Sequence, residues 1–303
     1  MAPIATSTAL GPIHLRTPLI AASGTVGSVW EWATVADVSA YGAAVAKSVS
    51  GEPWKGKPAP RLAPTSVGML NGIGIQNPGI RVWQEDMSPR IGELGVPIWG
   101  SAVGESPEEF RIVAEGEEAA GVDAVEVNLS CPNLEDGSIF ALQPSLSARV
   151  VEAVTASVSL PVGAKLSPAS EDVVAVARAC VDAGADFLTL TNTIPGLELD
   201  VNNHTPKLSG GIGGYSGPGL KPISLRCVYE VASALPTVPI VGCGGVRTGG
   251  DVVEELMAGA SAVGLGTVHF AEPKAGRRIL REMSQLMADL GYDTVGQVVR
   301  AAL

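Results

Sequence analysis

Short apolar runs recur along this chain, and helical patterning fills most of the intervals between them. Eight runs stand out: Leu19–Gly24, Ala43–Ser48, Pro97–Val103, Ala124–Ser130, Pro161–Ser167, Phe187–Thr193, Pro239–Gly245 and Ala262–Val268. Runs of this length, rich in alanine or β-branched residues, read as buried strands. Apolar residues at helical spacing occupy Glu108–Ala120, Ser147–Ser157, Ser170–Ala183, Lys221–Leu235 and Gly249–Ala258. Strand–helix alternation predicts a parallel sheet, because parallel neighbours need a crossover long enough to hold a helix. Eight units favour closure into a (β/α)8 TIM barrel of the α/β class; the alternative is an open doubly wound sheet. A length of 303 residues suits one such barrel, and no linker divides it, so residues 1–303 are expected to form a single domain.

Three segments fall outside the alternation. Residues before Pro18 read as short strands around a Leu10-Gly11-Pro12 turn. The connections Gly51–Arg90 and Pro195–Gly219 are long and rich in Gly, Pro and Asn, and loops that long in a compact domain are usually functional. After Pro273 the pattern predicts helices over Lys274–Leu290, stopped by Gly291, and Thr294–Ala302.

Composition narrows the function classes. A net charge of −11 gives no basic surface for nucleic acid. No apolar run is long enough to span a membrane, and the N-terminus lacks the order of a signal peptide. Four dispersed cysteines, 131, 180, 227 and 243, form no Cys-x-x-Cys pair. They suit reduced thiols in a cytoplasm and cannot hold an iron–sulfur cluster unaided. The three histidines, His14, His204 and His269, have no carboxylate at ligand spacing, so no metal is expected.

The strand ends carry polar residues of a consistent kind. Asn128-Leu129-Ser130-Cys131-Pro132-Asn133 follows one apolar run, so a thiol and two carboxamides leave a strand end together. In a barrel, that face holds the chemistry. Carboxamides orient a planar polar ligand, and a cysteine beside them can exchange a proton with it. Read alone, the segment is equally a turn. Lys47 and Lys165 approach the same rim from other strands and suggest an anionic ligand. Gly244-Gly245 and Gly266-Thr267 follow strands seven and eight, the usual phosphate position of such barrels. A phosphorylated cofactor whose ring covers the barrel mouth is then implied, and FMN fits. Lys165 would stabilise negative charge on the flavin ring; otherwise it is a salt bridge inside the barrel.

With these motifs in place, the chain resembles the FMN-binding dihydroorotate dehydrogenases over nearly its whole length. The Asn128–Asn133 segment matches that family's active-site loop, and Asn71-Gly72-Ile73-Gly74-Ile75-Gln76-Asn77-Pro78-Gly79 matches its substrate loop. Thr191-Asn192-Thr193, Ser216-Gly217-Pro218, Gly244-Gly245-Val246 and Gly266-Thr267 match in order and spacing. The resemblance implies oxidation of dihydroorotate to orotate in pyrimidine biosynthesis, with a C5 proton passing to Cys131 and a C6 hydride to FMN. It implies substrate contacts from Lys47, Asn71, Gly72, Gly74, Ile75, Asn128, Asn133, Asn192 and Thr193. It implies flavin contacts from Ser23, Gly24, Lys47, Ser48, Asn128, Lys165, Thr191, Gly217, Cys243, Gly244, Gly245, Gly266 and Thr267.

Cysteine at 131 is similar to the soluble class 1 enzymes, where the membrane-associated class has serine. The loop at residues 74–79 and the stretch Leu199-Asp200 to Lys207-Leu208 resemble the class 1B catalytic subunit. That resemblance implies a homodimer, and a partner subunit carrying FAD and a [2Fe–2S] cluster that passes electrons to NAD. A stand-alone, fumarate-linked class 1A enzyme is the alternative. A dihydropyrimidine dehydrogenase-like enzyme would carry histidine where Asn133 stands. A non-catalytic phosphate-binding scaffold would be colourless. Some positions depart from the family pattern: Val268-His269 replaces a small residue and Asn, and Cys243 and Gly219 replace Met and Ala.

Overall fold

The structure is a computed structural model that describes residues 4–130 and 140–303. An antiparallel hairpin comes first, β1 (Thr8–Leu10) and β2 (Ile13–Leu15), turning at Gly11 with φ 58°, a conformation that favours glycine. β3 (Leu19–Ala21), the short α1 (Trp30–Ala33) and β4 (Ala43–Val45) follow. The first long connection holds β5 (Leu62–Thr65), β6 (Gly68–Asn71) and α2 (Ile80–Ile91). Next, in strict alternation, come β7 (Ile98–Ala102), α3 (Pro107–Ala120), β8 (Ala124–Asn128), α4 (Pro144–Thr155), β9 (Val162–Leu166), α5 (Val173–Asp182) and β10 (Phe187–Leu190). The second connection forms β11 (Ile194–Gly196), β12 (Leu199–Asp200), β13 (Thr205–Pro206) and β14 (Gly213–Ser216). α6 (Lys221–Ala234), β15 (Ile240–Cys243), α7 (Gly249–Met257) and β16 (Ala262–Leu265) complete the alternation. α8 (Val268–Ala271), α9 (Ala275–Asp289) and α10 (Val295–Val298) end the chain.

The eight expected strands close into a parallel barrel in the order β3-β4-β7-β8-β9-β10-β15-β16, with β16 pairing back to β3. This is the (β/α)8 architecture, and the open sheet is excluded. Local chemistry ends the helices where the barrel needs them to end. Ser106 caps α3 by accepting from the Glu109 N–H, and Gly121 closes it at φ 93°. Thr248 and Asp251 form a reciprocal capping box on α7.

Three expectations need correction. α2 lies inside the connection that the sequence reading leaves as loop. It buries only Ile80, Trp83 and Met87 and contains Pro89, so its apolar stripe is thin. The two long connections are not separate loops: β11-β14-β6-β5 make one antiparallel sheet across the barrel mouth. The last helix is shorter than Thr294–Ala302. Val299 leaves helical geometry at ψ 122°, and the Arg300 and Ala302 N–H groups donate to the Leu256 and Met257 carbonyls instead.

Inside the barrel, Ile20, Ala43, Val45, Trp99, Ala124, Phe187, Val241 and Ala262 form an apolar plug, which Leu10 and Leu15 of the N-terminal hairpin join. Trp99 and Phe187 lie 5.0 Å apart between ring centroids. Phe187 has room because residue 163 is glycine: a Cβ there would fall 2.1 Å from the ring. The plug seals one end of the barrel and leaves the other for chemistry.

The outer wall carries two buried carboxyls at matching places. Glu117-x-x-Ala-Gly ends α3 and Glu255-x-x-Ala-Gly ends α7. Each fills the space left by a glycine on the adjacent strand, Gly100 and Gly242, where a Cβ would fall 2.4 Å from a carboxyl atom. Glu117 Oε1 accepts from the Ser101 N–H at 2.6 Å, whereas neither Glu255 oxygen has a partner among the described residues. Burial raises both carboxyls, Glu255 to about 8. A raised folded-state value means the native protein binds the proton more tightly than the unfolded chain. Stability is then greatest below the ordinary value of about 4.5 and is lost as pH rises through about 8. Glu255→Gln should remove its share of that loss, a few kcal/mol at about 1.4 kcal/mol per unit. Denaturant melts at acid and alkaline pH measure the slope; a slope equal to the parent's contradicts the assignment.

Candidate active site

Parallel strands deliver residues to one rim because every carboxyl end points the same way. The register sets Asn128 of β8 beside Lys165 of β9, and Lys165 beside Thr189 of β10. Glu126 sits two residues before Asn128 and so faces the same side of the strand. It is buried and accepts from Lys165 Nζ at 3.2 Å and from Thr189 Oγ1 at 2.8 Å. Burial pulls the Lys165 ammonium down most, but the charge and hydrogen bond of Glu126, together with Cys243, offset it and leave the group above its usual value. Lys165 is therefore both inside an ion pair and on the cavity wall. Lys47, just past β4, has no such partner among the described residues. Burial lowers its pKa, and the neighbouring Lys165 charge lowers it further.

Above the ion pair runs a chain of amides and hydroxyls. Asn192 Nδ2 donates to Asn128 Oδ1 at 3.0 Å, and Asn128 Nδ2 donates to Ser48 Oγ at 3.3 Å. Ser48 and Ser101 share a hydrogen bond at 2.8 Å, and Ser23 lies 3.3 Å from Ser101. Asn192 Oδ1 in turn accepts from the Thr193 N–H at 2.7 Å, so both carboxamides are fixed and offer a ligand the second amide hydrogens and oxygen lone pairs that these bonds leave over. From the overlying sheet, Asn71 Nδ2 donates to the Gly214 carbonyl at 3.2 Å. Thr267 Oγ1 donates to Ser216 Oγ at 2.8 Å, tying that sheet to the turn after β16.

All of the expected substrate and flavin residues that the structure describes line one cavity of about 1950 Å³. Cys131 and Asn133 lie outside the described residues. The volume exceeds the ~300–1,000 Å³ of ordinary ligand sites, leaving room for two ring systems. Among the described residues Lys47, Lys55, Lys57, Lys165, Arg247 and Arg278 line it against Glu105 and Glu272, with Lys165 and Arg278 already in ion pairs. In a chain of net charge −11, that concentrates positive potential where an anion would enter.

The glycines divide into two kinds. A Cβ on Gly244 would fall 2.4 Å from Ser224, and Gly245 has φ 72°, so the protein's own packing requires both. A Cβ on Gly24 would meet nothing within 4 Å, although its φ of 83° itself favours glycine, and one on Gly266 would meet nothing nearer than 3.8 Å. Those two leave open wall against the cavity. Thr191 also lines it, with a buried hydroxyl that has no partner among the described residues. Cys243 is buried on the same wall, its thiol raised by burial to about 11, and so stays protonated.

Sequence reasoning missed Ser101, Glu126 and Thr189. Glu126 had a visible signal, an acid inside the apolar run Ala124–Val127, since a buried charge needs a partner. Ser101 and Thr189 had none, because small hydroxyl residues in strands are ordinary.

A parallel barrel with a cationic, amide-lined cavity over its carboxyl-end rim has the form of a (β/α)8 enzyme. Comparison with known proteins is specific. The family profile for dihydroorotate dehydrogenase matches residues 6–287. A Geobacter sp. (strain M21) protein named dihydroorotate dehydrogenase B (NAD(+)), catalytic subunit, is 41% identical over 297 residues, covering 97% of each chain. Proteins of the same name from Geobacillus kaustophilus and Desulforudis audaxviator are 41% and 37% identical, over 95% and 99% of this chain and 92% and 98% of their own. The chain belongs to the dihydroorotate dehydrogenase family.

The two kinds of glycine make a paired test. Gly266→Ala should melt within about 0.5 kcal/mol of the parent apoprotein but bind FMN poorly. Gly244→Ala should lose about 1–3 kcal/mol through overpacking against Ser224. Apoprotein melts and FMN titration measure both; an alanine at 266 that binds FMN like the parent shows that the open wall does not face the cofactor.

Proposed function

We propose that this chain oxidises dihydroorotate to orotate as the FMN-bearing catalytic subunit of a class 1B enzyme. The observation that carries the reading is the convergence of Lys47, Asn71, Asn128, Lys165 and Asn192 on one cavity at the barrel rim. The name shared by the relatives supports the subclass. The open wall at Gly24 and Gly266 and the Thr191 hydroxyl, which has no partner among the described residues, fit FMN. When bound, FMN supplies the hydride acceptor for C6.

The chain's own residues do the rest. Gly217, Gly244, Gly245, Gly266 and Thr267 hold the phosphate through backbone groups, with Ser23, Gly24, Ser48 and Cys243 along the cofactor. Lys165, held by Glu126 and Thr189, keeps a fixed positive charge against the ring. Asn71, Asn128, Asn133 and Asn192 pair with the pyrimidine edge, where each amide offers a donor and an acceptor. Gly72, Gly74, Ile75 and Thr193 close around it, and Lys47 meets its negative charge. Cys131 takes the C5 proton; an ordinary thiol titrates near ~8.5, so the step speeds up toward alkaline pH.

Electrons then leave through a partner subunit carrying FAD and a [2Fe–2S] cluster, since the four dispersed cysteines of this chain provide no cluster site. Residues 1–303 act as one domain within a homodimer in the cytoplasm. Exposed Leu199, Val201 and Ile212 on the second connection provide apolar area for such a contact. Among the described residues no helix is long and apolar enough to cross a membrane.

Anaerobic mixing of the purified flavoprotein with dihydroorotate should bleach its flavin absorbance. Cys131→Ala should keep FMN but slow the bleaching by about 100-fold or more. Bleaching at the parent rate in that variant would remove Cys131 as the base.

A further inference from the structure

His269 stands where the sequence pattern leads one to expect asparagine, and it is 3% exposed. Three segments meet at its ring. Nδ1 lies 3.1 Å from Thr25 Oγ1, on the turn after β3. Nε2 lies 2.8 Å from the Tyr41 hydroxyl, just before β4. The His269 N–H donates to the Gly266 carbonyl at 3.0 Å, within the turn after β16. The indole of Trp32 packs beside the imidazole, 5.2 Å between ring centroids.

The bonding assigns the tautomer. Thr25 Oγ1 donates its only proton to the Ala22 carbonyl at 2.8 Å, so toward His269 it can only accept. Nδ1 therefore carries the hydrogen. Nε2 then accepts from Tyr41, whose phenol burial keeps protonated. The imidazole is neutral because burial drives its pKa down to about 4. The two contacts differ in what they reach. Ala22, Gly24 and Thr25 line the cavity beside Gly266 and Thr267, whereas Tyr41 is buried behind them.

We propose that His269 is a positioning residue for the cofactor-binding turns: its Nδ1–H to Thr25 sets the spacing between the turn after β3 and the turn after β16. The Tyr41 contact anchors the ring from behind and does not face the ligand. The inference rests on the placement of the FMN phosphate at Gly266-Thr267 given above.

Two amide substitutions separate the contacts, because asparagine places a polar atom near the position of Nδ1 and glutamine near that of Nε2. His269→Asn keeps the reach to Thr25 and loses Tyr41. His269→Gln keeps Tyr41 and loses Thr25. FMN titration of the apoproteins should give a Kd within about threefold of the parent for His269→Asn and at least about tenfold weaker for His269→Gln, the scale of one good hydrogen bond. Hydrogen exchange of the apoproteins should show faster exchange at Thr25, Gly266 and Thr267 in the glutamine variant than in the asparagine variant. A purely structural histidine would weaken both variants alike, with FMN affinity following thermal stability. Equal or reversed FMN affinities overturn the proposal, as does equal exchange at the two turns. A parent apoprotein that takes up no FMN would instead refute the cofactor reading, and the exchange comparison would still decide the role of His269.

Discussion

The ion pair between Glu126 and Lys165 is the constraint on which the site depends. Both groups are buried in the barrel, and Thr189 occupies the second carboxylate oxygen. Such a pair gains little net stability over apolar packing, yet removing one partner strands a charge at a cost of about 3–5 kcal/mol. Its value here is positional. A buried lysine whose ammonium is held by Glu126 presents that group at one place on the cavity wall. The apolar plug below it keeps water out of the closed end of the barrel and strengthens the pair by lowering the local dielectric.

The pair also divides the electrostatic work. Lys165 is balanced by Glu126, so together they contribute almost no net charge. Lys47 has no such partner among the described residues, and its depressed pKa marks a cation held against burial and a like charge. An anionic ligand relieves that cost at Lys47 more than at Lys165. The cationic lining extends outward through Lys55 and Lys57, which favours the approach of anions to a molecule that is acidic overall.

The barrel was legible because its signal is local. Each strand is a short apolar run, and each crossover helix carries its own stripe. The rim was legible for the same reason, since a site at strand ends is a set of short segments. The sheet over the mouth was not. β6 pairs with β14 across more than a hundred residues, and β14, Gly213–Ser216, has little side chain to pattern. α2 was hidden by a thin apolar stripe and an internal proline. Glu126 could have been found from its place in an apolar strand. Its partner could not, because adjacency in register depends on how the barrel closes. His269 was visible only as a departure from the expected pattern, and its meaning lies in Thr25 and Tyr41, which are far away in sequence.

The most direct test is electron density for the complex of this chain with FMN and orotate. The account predicts the pyrimidine edge on the carboxamides of Asn71, Asn128 and Asn192, its carboxylate near Lys47, the flavin ring against Lys165, and Glu126 still bound to that lysine. A pyrimidine seated elsewhere, or Lys165 turned away from the cavity with Glu126 left alone, would contradict it.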